Sequence, residues 1–361
     1  MFKKYRPLSI FSYLLLILFP QVKVFANSFS KHTPLIFSQT CFNKYDQKII
    51  SGFPHPTQGL WIPTHDFDRK ERYYGYCLDT LGRLPIMRST FSPKNNQDIL
   101  IVEHFSHGYK SWVARIDLTQ FTQAHLININ FALVLGHHPL LRIDFNTEKG
   151  ILLYEYGENT SWTKEQLLKG ENASVQLNSL SLDVEGVSQI GDTFGAESAA
   201  TGRLALTYLF ISTVEKVFYS VLSNFKTRQY TLKNLNKDSI RKILETFITH
   251  SENTKISKAY NVITDNCINS LVRVLQSALP ELNFTDYELW EPLAPYNLAD
   301  ILVRKNLLDE HQIENFLLFD NSNLFFGNHF NGLEQIQKSY LEIEKEKQDR
   351  LYNQRNSAVA W

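Results

Sequence analysis

The chain has 361 residues, with 37 basic and 37 acidic side chains giving a formal net charge of zero, and three cysteines. That balance excludes the strongly basic class that binds nucleic acid by neutralising phosphates, so no nucleic-acid partner is expected. The length suffices for one large or two medium domains with a substantial core.

Lys3, Lys4 and Arg6 open the chain, an apolar run covers Leu8 to Phe19, and Val24-Phe25-Ala26 closes it. This is the layout of a secretory signal peptide over residues 1–26. The apolar run is shorter than the roughly 20 residues a membrane span needs. Cleavage removes Lys3, Lys4, Arg6 and Lys23 and no acidic residue, which leaves 33 basic against 37 acidic groups, a formal charge of −4. The mature chain is expected in the periplasm or outside the cell, with no transmembrane span.

Residues 27–125 are expected to form a β-rich accessory region, its first part punctuated by Pro54, Pro56, Pro63, Pro85 and Pro93. An oxidising destination makes Cys41 and Cys77 candidates for a disulfide. Cys267 is then the odd thiol, either reactive or simply buried. From Ile99 onward, short apolar or alternating runs predict strands at Ile99–Val102, Trp112–Ile116, Leu126–Leu135, Leu140–Phe145 and Ile151–Tyr156. Asn146 to Gly150 is expected to join the last two as a hairpin loop. Residues 160–195 read as polar and mixed, with a short helix at Trp162–Leu168 and a loop at Gly186–Gly195. Leu204–Phe225 is apolar enough for strand, helix or both, and Arg228–Leu232 alternates like a strand.

Ile240, Ile243, Leu244 and Phe247 make one apolar helical stripe over Asn236–Phe247, with Asp238 as the candidate cap. Asp265-Asn266-Cys267 then precedes Ile268, Leu271, Val272, Leu275 and Leu279 at helical spacing, closed by Pro280. Cys267 therefore falls in a helical first turn, where unpaired N–H groups and the helix dipole favour negative charge and hence the nucleophilic thiolate. Another helix is expected at Asn297–Asn306, and residues 311–361 are expected to form a helical tail.

A thiolate needs a base to move protons and a group to orient that base. The candidates for the base lie in Gly136-His137-His138-Pro139-Leu140-Leu141-Arg142. His137 and His138 point to opposite faces of a strand, so only one can face the thiol. Thr64-His65-Asp66-Phe67-Asp68 is only loosely metal-like, and the spacings of metal sites, phosphate loops, dinucleotide turns and serine elbows do not occur. No metal and no cofactor are expected.

His138-Pro139-Leu140-Leu141-Arg142, Tyr154-Glu155-Tyr156-Gly157, Thr201-Gly202-Arg203-Leu204, Arg228-Gln229-Tyr230-Thr231-Leu232 and the segment Tyr260-Asn261 to Asn266-Cys267, closed by Leu279-Pro280, resemble in order the motifs of a bacterial domain family that includes lipoprotein N-acyltransferases, the Lnb-like family. The likeness covers roughly residues 130–310, within a domain expected over 126–310. Its glycine before the histidine is His137 here; His138 keeps the family's leucine and arginine spacing. The resemblance implies an α+β fold: a circularly permuted papain-like core with an antiparallel sheet and a cysteine-bearing helix, preceded by the β-rich extension. It implies acyl transfer through a Cys267 thioester, with His138 as base and then acid, on a lipid or lipoprotein substrate at a membrane surface. Asn266 is a candidate for the oxyanion, Glu155 for orienting the histidine, and Arg142 for bracing the strand. The same machinery would serve a cysteine amidase or peptidase of the cell envelope, and a chain without activity would serve as an envelope binding module.

Overall fold

Apolar residues alternating with polar ones between Ile99 and Glu155 build the first half of a large sheet in a computed structural model of the chain. The structure describes residues 84–310 apart from 94–97, 133–135, 147–148, 156–161, 188–203, 223–224, 255–257, 262–264 and 286–296, together with 60–61, 77–78 and 317–318. All of these belong to one unit, Ser38–Trp361. Residues 1–26, expected as a signal peptide, Cys41 with its expected pairing to Cys77, and almost all of the tail from 311 lie outside the described residues.

β1 (Leu60–Trp61) and β2 (Cys77–Leu78) pair with each other. The main sheet takes β3 (Met87–Arg88), β4 (Ile99–His107), β5 (Lys110–Asp117), β6 (Phe121–Ala132), β7 (Gly136–Phe145), β8 (Ile151–Glu155), β9 (Val175–Leu177), β10 (Ser179–Val187), β11 (Ala205–Ser212), β12 (Lys226–Thr231) and β13 (Leu317–Leu318). Its order is β13-β12-β6-β7-β10-β11-β4-β5-β8-β9, with β3 beside β4. The helices are α1 (Lys164–Lys169), α2 (Thr213–Leu222), α3 (Lys237–Thr254), α4 (Cys267–Ala278) and α5 (Asn297–Arg304). Among the described residues, no helix is long and apolar enough to cross a membrane.

The expected antiparallel sheet in a circularly permuted papain-like core does not hold. The sheet has 11 strands and is mixed, because β11 runs parallel to β4 where Ile211 faces Ser106. β3 wedges between the same two strands: Met87 and Arg88 pair with Glu103 and Val102, while Ile86 N donates to Tyr208 O at 2.9 Å. The boundary expected at 125/126 falls inside β6, and β3 to β5 share the sheet with the strands that follow. The expected hairpin between β7 and β8 is absent as well. β7 pairs with β6 and β10, whereas β8 pairs with β5 and β9. Gly150 lets the chain turn against β7, since a Cβ there would meet Phe145 Cβ at 2.2 Å.

One face of the sheet makes the main core. Leu141, Leu182, Tyr208 and Phe210 pack there against the α3 stripe Ile240, Ile243, Leu244 and Phe247 and against Leu271 and Leu275 of α4. Asn236, not Asp238, caps α3: its Oδ1 accepts from Ser239 N at 2.9 Å, and Asp238 instead pairs with Arg241. On the other face Ile127, Ile129 and Leu140 form a smaller apolar cluster with Phe225. α2 crosses this second face, its Thr213 Oγ1 hydrogen-bonded to Ser181 Oγ on β10 at 3.0 Å.

Candidate functional site

β7 and β10 pair from Asp144 opposite Ser179 to Leu141 opposite Leu182. Beyond that point β7 stays on β6, with His138 opposite Ile129, and β10 stays on β11 as far as Val187. His138 and Asp183 thus stand where the two strands part. His138 Nε2 bonds Asp183 Oδ1 at 2.5 Å across the opening, and the Asp183 side chain is fully buried.

Two further charges complete the group. Lys216 of α2 puts Nζ 2.6 Å from Asp183 Oδ2 and also bonds Glu185 Oε1. All four side chains are largely buried, and each charge meets an opposite one, as burial requires. His138, Asp183 and Glu185 hold ligand atoms within 4.8 Å of one another, close enough to grip a cation. The Lys216 ammonium already satisfies both carboxylates in that place, so this donor set fits an internal ion pair better than a resident metal.

Cys267 is the first residue of α4 and is 4% exposed. Asn266 caps the helix in an extended conformation, its Oδ1 accepting from Ile268 N and Asn269 N, both at 2.9 Å. Two of the N–H groups expected to serve an oxyanion are therefore occupied by the cap. Tyr260 donates its hydroxyl to Cys267 Sγ at 3.7 Å. α4 packs on β7 and β10.

After burial, the electrostatics of His138 are set first by Asp183 and Lys216, with Cys267 contributing less. Burial and the Lys216 ammonium oppose the charged form of His138, but the adjacent Asp183 carboxylate, with a smaller contribution from Cys267, outweighs them and raises His138 to about 10. Burial likewise opposes Asp183 ionisation, yet Lys216 and His138 hold its carboxyl well below the usual carboxylate range. His138 is thus an imidazolium at neutral pH, with Nε2–H donated to Asp183.

The expected residues divide. Cys267 contributes to the electrostatic surroundings of His138, and Asn266 caps the helix that Cys267 begins. His137 pairs through its backbone with Asn130, and its side chain lies outside the described residues. Arg142 braces the strands, with Nε on Asp144 Oδ1 at 2.6 Å and Nη1 on Gln229 Oε1 at 2.9 Å. Glu155 cannot orient His138, because β10, β11, β4 and β5 separate β8 from β7. Asp183 does so instead. Its signal in the sequence is the alternation Ser181, Asp183, Glu185 against Leu180, Leu182, Val184, together with Lys216 as a cation inside an apolar run. No known family model, no curated protein and no solved structure matches the chain.

Proposed function

We propose that the chain is an exported thiol-dependent acyltransferase that takes an acyl group from a lipid or lipoprotein ester onto Cys267, with His138 moving the proton. The observation that carries this reading is the buried His138–Asp183 pair, 2.5 Å apart, with Cys267 at the start of α4 among the groups that raise the imidazole. The substrate class rests on the resemblance of Tyr260-Asn261 to Asn266-Cys267 and of His138 to Arg142 to lipoprotein N-acyltransferases. Export rests on the charged start and apolar run of residues 1–26.

The proposed chemistry pairs a Cys267 thiolate as nucleophile with the His138 imidazolium as acid. The Cys267 thiolate attacks the ester carbonyl, and the tetrahedral intermediate expels the alkoxide, which takes its proton from the His138 imidazolium. An amine then attacks the thioester and gives its proton to the neutral imidazole, which restores the starting state. Asp183 holds Nε2–H throughout, so the proton is exchanged at Nδ1.

Incubation of the protein with a diacylated lipopeptide tests this by intact mass. One acyl mass should appear on the wild type, be released by hydroxylamine, and be missing from Cys267→Ala and His138→Ala. An adduct that persists in Cys267→Ala, or one that never forms on the folded wild type, refutes the reading.

A further inference from the structure

Tyr260 stands at the sulfur and takes no part in the chemistry described so far. Its hydroxyl donates to Cys267 Sγ, 3.7 Å away. The hydroxyl therefore stands beside the nucleophile, on the same residue whose backbone N–H opens α4, which is where the oxygen of an attacked carbonyl would settle.

The fold fixes this ring. Leu206 N donates to Lys258 O and Tyr260 N donates to Leu204 O, both at 2.8 Å, which lays residues 258–260 along the start of β11. Gly186 on β10 leaves room for the ring, since a Cβ there would meet Tyr260 Cγ at 3.2 Å and Leu204 Cδ1 at 2.9 Å. Asn261 and Asp265 exchange backbone hydrogen bonds at 3.0 Å, and Asp265 is held by Lys258 and by Arg273 at 2.6 Å. The segment bearing Tyr260 and the helix bearing Cys267 are thereby locked together. Burial first, and then negative charge at Cys267, push the phenol's ionisation well above its ordinary range, so it remains a donor.

We infer that Tyr260 is a catalytic residue: its hydroxyl holds the Cys267 thiolate before attack and, with the Cys267 N–H, holds the oxyanion afterwards. The inference rests on the acyl-transfer reading above. As the S–C bond forms, the carbonyl π pair moves onto oxygen and the sulfur loses its negative charge. The hydroxyl's strongest acceptor then changes from sulfur to the new oxyanion a bond away. Collapse re-forms the carbonyl and expels the alkoxide, which is protonated by His138.

Two reactions of the same thiol separate this role from a structural one. Alkylation by iodoacetamide passes through no oxyanion, whereas acylation by a p-nitrophenyl ester does. Tyr260→Phe should slow acylation by about 100-fold or more, the usual loss for one oxyanion donor, and alkylation by much less. Equal slowing of both reactions, or no change in either, overturns the inference while leaving the role of Cys267 intact. A wild type whose Cys267 undergoes neither reaction removes the acyl-transfer reading itself, before Tyr260 is touched. Should Tyr260→Phe fail to fold, 3-fluorotyrosine at position 260, a stronger donor, should raise the ratio of acylation to alkylation. An unchanged ratio overturns the inference.

Discussion

Two histidines on neighbouring strands each hold an aspartate, and their surroundings separate them. His125 on β6 bonds Asp144 Oδ2 through Nε2 at 3.1 Å and Thr231 Oγ1 through Nδ1 at 3.2 Å. Both ring nitrogens are tied to the sheet, and Arg142 shares the same aspartate. His138 on β7 gives one nitrogen to Asp183, within the field of Cys267, at a place where the strands part. A buried histidine–aspartate pair is thus ordinary sheet bracing until a nucleophile approaches the imidazole. Of these two pairs, His138–Asp183 is the one with a thiol, that of Cys267, among the groups that shift its imidazole.

The largest expected effect breaks this contrast most sharply. His138→Ala and Cys267→Ala should each lower acylation by about a thousandfold or more, because residues that act as a unit fail together. His125→Gln should leave acylation unchanged and cost only about 1 kcal/mol in urea unfolding. Equal losses in the two histidine variants would erase the distinction.

Asp183→Asn should come next, at about 100-fold or more in acylation, since the imidazole loses the carboxylate that fixes its tautomer and stabilises its charge. Lys216→Met should act on stability. Two buried carboxylates lose their cation, and about 3 kcal/mol should disappear from the unfolding free energy. The same variant should titrate His138 at higher pH, because the ammonium opposes the imidazolium.

Stability should depend on pH in a direction set by the same group. His138 is raised from about 6.5 to about 10, so its contribution is complete below pH 6.5 and is lost as the pH rises through about 10. The Asp183 carboxyl is depressed, so its contribution is present above its unfolded value, near 3.8, and is lost as the pH falls. Thermal melts between pH 7 and 10 should decline for the wild type and flatten for His138→Gln; parallel curves would count against the pair. The smallest effect is that of Arg142→Gln, about 1 kcal/mol in stability with acylation unaltered.

Much of the fold is written locally. The runs expected at Ile99, Trp112, Leu126, Leu140 and Ile151 all begin inside strands, those from Leu126 and Ile151 continuing beyond the described residues, and the Ile240 to Phe247 stripe is the buried side of α3. Leu204–Phe225 divides into β11 and α2 at Ser212–Thr213. β10 reads as polar because Ser181, Asp183 and Glu185 face α2, where Lys216 and Thr213 satisfy two of them and Asp183 is shared with His138. Sheet order is the part that local sequence does not encode. β8 follows β7 in the chain but four strands lie between them in the sheet, which makes Glu155 a natural yet mistaken partner for His138. The true partner is 45 residues on, across a pairing set by long-range packing. Helix-start chemistry and a strand motif single out Cys267 and His138 as candidates, whereas the carboxylate and the cation around His138, those of Asp183 and Lys216, depend on that packing.

The claim that Cys267 and His138 share one centre can be measured directly by following the His138 ring protons through an NMR titration. The wild-type imidazole should lose its proton near pH 10, and Cys267→Ala should lower that midpoint, because a negative neighbour has been removed. Superimposable curves for the two proteins would contradict the account.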